Sequence, residues 1–234
     1  MSHGLPLPTV VVTPVRARSF APARCENDDG RRAATSKLTR RFRGADIVPM
    51  ALSLLKGPFT VEAYQRLGEL GILHQDDRVE LVAGQVVEMT PIGDRHASCV
   101  RRLINLFAPN LRDVAVLDAQ NPVVLGTHDA PQPDLALLHR RAGGYATHPR
   151  AADVLLVVEV ADRSVSYDRE IKIPRYGAAG TPEAWLVDLV GDAVCVCRRP
   201  EPDGYAEIVT VTRAGTLRPL LLPGVAIVVD EILG

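Results

Sequence analysis

Residues 154–160 read Val-Leu-Leu-Val-Val-Glu-Val. β-Branched and leucine residues at successive positions, not alternate ones, describe a strand covered on both faces. A chain with such a strand needs a layer above it and a layer below. The run therefore predicts a mixed α/β domain whose central mixed sheet lies between helices. Glu159 is out of place there, because a carboxylate in a buried strand is costly unless it is paired or holds a metal.

A second acid stands in a related setting. Pro133-Asp134 opens the apolar run Leu135-Ala136-Leu137-Leu138. If the two runs pair antiparallel, Asp134 at the start of one meets Glu159 near the end of the other. Two adjacent carboxylates repel, and a divalent cation relieves that conflict. An all-oxygen set without nearby His or Cys favours Mg²⁺ or Mn²⁺ over zinc.

Strand alternation puts Ala161, not a cation, on the face of Glu159. Asp168-Arg169-Glu170-Ile171-Lys172 supplies the missing ammonium, on the element that follows the strand. Asp168 and Lys172 are spaced to share a helical face, with Tyr176 one turn further on. Pro174 suits a first helical turn and so places Lys172 at a helix N-terminal boundary. The plain structural alternative for Lys172 is a surface ion pair with Asp168.

Thr60 is an N-cap for a helix whose apolar face is Val61, Tyr64, Leu67 and Leu70, closed by Gly71. Residues 78–82 and 85–89 flank Ala83-Gly84 as a hairpin. Within it Glu80 reads equally well as a solvent-facing strand residue or as a third acid. Residues 96–111 predict a helix with Val100, Leu103, Ile104 and Phe107 inward. Its Arg95, Arg101 and Arg102 are either a solvated face or phosphate contacts. His96, at its start, is either a substrate-orienting group or a helix-start hydrogen bond. Strands are expected at 114–117 and 122–125, with Gln120-Asn121 as the turn between them. The basic, glycine-bearing connection 140–150 is a candidate substrate-side loop. Gly180 ends the helix after Lys172, and 183–188 begins the next strand. Strands 193–198, 206–212 and 225–229 complete a sheet flank and offer a dimer surface.

The ordered set Pro133-Asp134, Glu159 and Lys172 resembles the PD-(D/E)XK nuclease superfamily. Several further stretches make the likeness closer: residues 80–89, 133–137, 159–164, 167–172, Tyr176 and 183–188. These are similar to the Uma-type (Uma-two) restriction endonucleases, in which the lysine has moved off the strand onto the next element. The likeness runs from about Phe59 to Leu233. It implies a restriction-endonuclease-like core and metal-dependent cleavage of DNA. It also implies Asp134 and Glu159 as metal ligands with Glu80 completing the set, Lys172 as the catalytic cation, and a His96 placed at its helix start as in the family. Cutting both strands of a duplex implies a homodimer.

The 234 residues carry 27 basic and 28 acidic side chains, a formal charge of −1 that counts against a general nucleic-acid binder but not against a local groove. Residues 1–49 are proline-broken and arginine-rich, from Arg16 to Arg43. They read as a disordered basic extension, either a phosphate-gripping arm or sequence upstream of a start at Met50, with the nuclease domain over 50–234. No membrane-length apolar run is present, so a cytoplasmic protein with reduced cysteines is expected. The four cysteines lack zinc-finger spacing. Ala161 and the unremarkable charge leave open a catalytically inactive nuclease-fold binding or interaction module; a metal-dependent phosphodiesterase for small nucleotides is a third reading.

Overall fold

The computed structural model describes residues 58–74, 76–111 and 113–234. The arginine-rich segment 1–49 lies outside them, as do residues 50–57. Helix α1 (Val61–Glu69) starts where expected, with the Thr60 hydroxyl accepting from the Ala63 amide at 3.1 Å. Only Val61 of its apolar face is buried, and Leu70 is exposed. Strands β1 (Val79–Val82) and β2 (Gln85–Glu88) form the hairpin. Ala83 and Gly84 both take positive φ, 52° and 70°, which matches the twist a two-residue turn needs. Every residue of β1 is buried, Glu80 included.

Helix α2 (Asp94–Phe107) is followed by a single 3₁₀ turn at Ala108–Asn110. The expected helix to Leu111 stops early because Pro109 has no amide hydrogen to extend it. Strands β3 (Ala115–Ala119), β4 (Leu135–His139), β5 (Val154–Ala161), β6 (Glu183–Asp188), β7 (Ala193–Glu201) and β8 (Gly204–Thr212) make one six-stranded sheet in that spatial order. All neighbours are antiparallel except β5 and β6, which run parallel. A parallel pair needs a crossover. Here it is helix α3 (Val165–Tyr167), a π-helical segment (Asp168–Lys172) and helix α4 (Ile173–Ala178) in unbroken succession. The chain closes with the short pair β9 (Thr216–Leu217) and β10 (Ile227–Val228), then helix α5 (Val229–Leu233).

Both faces of the sheet are covered, as the unbroken β5 run requires. Leu135, Leu137, Leu156, Val158 and Trp185 pack under α2 and α5, where the Phe107 and Trp185 rings meet at 5.9 Å. Ala136, Leu138, Val157, Ala161 and Leu186 pack under Ile173 and Tyr176 of α4. The fold is thus a mixed α+β domain built on a central mixed sheet, as expected.

Two expectations are corrected. Residues 122–125 form no strand of the sheet: the amides of Val123, Val124 and Leu125 bond the carbonyls of Pro131, Pro149 and Asp129 in neighbouring loops. Their hydrophobicity, led by fully buried Val123, plugs the space beneath those loops. The 140–150 connection leaves β4 at His139, the end opposite Asp134, and none of its residues lines the cleft at the acid pair. Arg141 stacks on Tyr145 there and binds Asp153, holding the loop onto its own strand ends.

Candidate active site

Antiparallel pairing of β4 and β5 sets Leu135 opposite Val158, so that Asp134, one residue before β4, comes level with Glu159. The Asp134 Oδ2 accepts the amide hydrogen of Val160 at 2.8 Å, fastening the acid to the next residue of β5. The same oxygen lies 3.0 Å from His96 Nε2. Since a carboxylate only accepts, the ring nitrogen facing it carries the hydrogen. His96 thus ties the first turn of α2 to Asp134, and its Nδ1 is buried without a hydrogen-bond partner among the described residues.

Glu159 shares the β5 face of Val157 and Ala161, which looks toward α4 and the π-helical segment. Its Oε1 accepts from the Tyr176 hydroxyl at 2.6 Å and from Lys172 Nζ at 2.8 Å. Lys172 Nζ also lies 3.2 Å from Glu80 Oε2 and 3.3 Å from the Gln132 carbonyl. Glu80 is held in turn by the Gln132 amide, 3.0 Å from the same oxygen. The ammonium is therefore buried between β1 and β5, only 4% exposed. A surface ion pair with Asp168 is ruled out. Asp168 is buried beside it and accepts from the Ser164 hydroxyl at 2.5 Å.

The π-helical turn explains how Lys172 gets there. Pro174 lacks an amide hydrogen, so the normal ladder cannot continue through it, and the Ile173 amide reaches back to the Asp168 carbonyl. This widened turn lets both Asp168 and Lys172 face inward, with Tyr176 below them. Such single-turn widenings recur at functional sites.

Charge in this cluster is unbalanced. Four buried or half-buried carboxylates, Glu80, Asp134, Glu159 and Asp168, surround one ammonium. Burial pushes the Glu159 carboxyl up to about 8; Lys172 opposes this, while Asp168, Asp134 and Glu80 add to it. Asp168 is raised chiefly by burial too, against the pull of Lys172 and the Ser164 bond. Burial alone would lower Lys172, but Glu159, Glu80 and Asp168 outweigh it and hold the lysine protonated. Tyr176 is pushed well above the phenol range by burial and by Glu159.

A cleft of about 530 Å³ opens over these groups. Its floor carries Glu80, Asp134, Glu159 and Lys172; Val87, Met89 and Ile92 form an apolar side, and Arg78 and Arg163 stand exposed at the rim. Excess negative charge presented by hard oxygen donors is what Mg²⁺ or Mn²⁺ selects. The donor chemistry fits such an ion at the Asp134 and Glu159 pair. Among the described residues no three His, Cys, Asp or Glu side chains are gathered closely enough to hold one between them. Glu80, expected as a third ligand, has its Oε2 3.2 Å from Lys172 Nζ and 3.0 Å from the Gln132 amide.

All four residues singled out in the sequence, Asp134, Glu159, Lys172 and Glu80, line this one cleft. Among the α2 arginines, Arg95 bonds Asp162 and the Leu189 carbonyl, and Arg102 caps the carbonyls of Ile232 and Leu233. These two are tied within the protein. Gln132 stood outside every stretch singled out in the sequence, and Ser164 and Tyr167 stood within such stretches without an assigned role. Only the spacing of Tyr176 from Lys172 hinted that an aromatic hydroxyl would reach the acid.

Residues 61–230 match the Uma2 family, described as "Putative restriction endonuclease". No curated protein matches the chain at a significant level. Among solved structures, a crystal structure of "a putative nuclease belonging to DUF820" from Anabaena variabilis ATCC 29413 aligns with a TM-score of 0.62 and 14% identity, covering 75% of this chain and 98% of that one. At that identity the likeness is one of fold. No helix among the described residues is long and apolar enough to cross a membrane.

Proposed function

The chain belongs to the Uma2 family, and on that premise we propose that it is a metal-dependent endonuclease hydrolysing phosphodiester bonds of DNA. The observation that carries this reading is the Asp134 and Glu159 pair on adjacent strands, with the Lys172 ammonium 2.8 Å from Glu159, at the floor of an open cleft. Asp134 and Glu159 would hold Mg²⁺ or Mn²⁺, which when bound polarises a phosphodiester and lowers the pKa of water. The Val160 amide and His96 fix the Asp134 carboxylate, so the ligand does not have to be ordered at the moment of binding. Tyr176 and Lys172 fix Glu159 from the other side. Lys172 is a permanent positive charge beside the position where the phosphate gains charge, and Glu80 holds it there. Cleavage of both strands of a duplex is expected to use two copies of the chain.

A second reading has one observation in its favour. The Lys172 ammonium stands between Glu80 and Glu159, supplying some of the neutralisation a metal would otherwise bring. A nuclease fold content with that internal cation would be a binding or interaction module without catalysis. Plasmid nicking with Mg²⁺ or Mn²⁺ separates the two. The nuclease reading expects metal-dependent nicking by wild type and none by Asp134→Asn or Glu159→Gln. Equal nicking by wild type and both variants would mean a contaminating nuclease and would remove the assignment; no nicking by wild type would leave the binding module.

A further inference from the structure

The floor of the cleft is rich in acceptors and almost spent of donors. An ammonium has three hydrogens to give, and Lys172 has three partners: Glu159, Glu80 and the Gln132 carbonyl. The Tyr176 hydroxyl is committed to Glu159, the Ser164 hydroxyl to Asp168, and the Gln132 side-chain amide to the Val79 carbonyl. His96 Nε2 is committed to Asp134. Each buried hydroxyl, amide and ammonium donor around the acids therefore already has its acceptor, with one exception; the unpartnered His96 Nδ1, across the ring from the hydrogen-bearing Nε2, is an acceptor in the neutral imidazole. Tyr167 is half-buried and lines the same cleft, and its hydroxyl is buried with no hydrogen-bond partner among the described residues.

A hydroxyl buried without a partner has given up its hydrogen bonds to water with nothing in return. Phenylalanine in its place would fill the same space without that cost. A phosphodiester entering a cleft lined by Glu80, Asp134, Glu159 and Asp168 needs donors to meet its anionic oxygens, and the exposed Arg78 and Arg163 sit only at the rim.

We infer that Tyr167 is a substrate contact, its hydroxyl donating to a non-bridging phosphate oxygen of the nucleic-acid strand seated in the cleft. The phenol keeps the hydrogen it donates, because burial first, then Glu80, pushes it up to about 12. Tyr167 is the last residue of α3, directly before the π-helical segment that turns Lys172 inward. The inference rests on the nuclease reading, and it adds a donor that the acid and lysine set does not provide.

The test uses the full chain and Tyr167→Phe. Binding of a labelled DNA oligonucleotide is followed by fluorescence anisotropy with Ca²⁺ in place of Mg²⁺, nicking is followed with Mg²⁺, and thermal unfolding is recorded for both proteins. One hydrogen bond to a charged group corresponds to a factor of about 10 to 100. The expected result is a loss of that size in nicking or in oligonucleotide binding, with a melting temperature equal to or above that of wild type. A methylphosphonate at the scissile position, which removes the anionic oxygen, should then weaken wild type far more than the variant. Wild-type binding and nicking retained in full by Tyr167→Phe would overturn the inference and leave the nuclease reading intact. A lowered melting temperature, with native and methylphosphonate strands affected alike, would assign the hydroxyl to the fold and overturn it too. Wild type that neither binds nor nicks would overturn the nuclease reading itself.

Discussion

Two glutamates lie buried in adjacent parallel strands of this sheet, and their surroundings could hardly differ more. Glu183 opens β6 and is fully buried. Its Oε1 accepts from Trp185 Nε1 at 2.8 Å and from Arg198 Nε and Nη2 at 2.9 and 2.7 Å, and its Oε2 accepts from the Leu220 amide at 2.5 Å. Donors surround it on every side. Glu159 near the end of β5 is 3% exposed, takes donors on one oxygen only, and has three other acids for company. The first carboxylate is a clamp that ties β6, β7 and the 218–222 turn. The second is left short of positive charge at the floor of a cleft. Burial of an acid says little about function; the balance of donors and like charges around it separates the two roles.

Neutralising each acid should break the protein in opposite ways. Glu159→Gln is expected to lower metal-dependent nicking by about a thousandfold or more, the scale on which loss of a group stabilising the transition state acts. Its melting temperature should hold or rise, since one of four crowded carboxylates is gone. Glu183→Gln is expected to cost about 3 kcal/mol, because the half-buried Arg198 guanidinium loses the counter-charge of a fully buried partner. Nicking per folded molecule should stay at the wild-type level. Urea unfolding and plasmid nicking on the two variants check both statements; a Glu183→Gln protein of wild-type stability would undo the contrast.

The cations sharpen it further. Lys172→Met should leave Glu80 and Glu159 facing each other and reduce nicking by about a hundredfold, on the same electrostatic argument. Nicking by Lys172→Met at the wild-type rate would show the ammonium to be purely a structural filler.

A smaller effect is expected from pH on the metal-free protein. Glu159 titrates near 4.5 in the unfolded chain and near 8 when folded, mainly through burial. Between those values the folded state holds the extra proton, so stability falls as pH rises through that window. In the presence of a chelator, wild type should lose melting temperature relative to Glu159→Gln from pH 5 to pH 8. Parallel curves for the two proteins would contradict the crowding described here.

The sequence carried the acid pair because its information is local. An unbroken apolar strand with one acid, and a Pro-Asp step before another strand, determine where each carboxylate emerges once the strands pair. Lys172 was legible for the same reason, since the spacing of Asp168, Lys172 and Tyr176 survives the widened turn at Pro174. What was not legible depends on partners far apart in the chain. Nothing near Gln132 announces that its amide and carbonyl would bridge Glu80 and Lys172. Glu183 read as the start of a strand, because Arg198 and the Leu220 amide arrive from distant turns. Residues 122–125 look like a strand by composition, yet their amides are claimed by loops. The 140–150 connection has a binding loop's composition, and only the direction of β4 shows that it leaves from the wrong end.

On the proposed reading, Asp134 and Glu159 form a working metal site. Its most direct test is calorimetric titration of Mn²⁺ into metal-free wild type, Glu159→Gln and Glu183→Gln under the same buffer. The account expects saturable binding by wild type and Glu183→Gln, and its loss in Glu159→Gln. Binding that survives in Glu159→Gln, or is absent from a folded wild type even with DNA present, would contradict it.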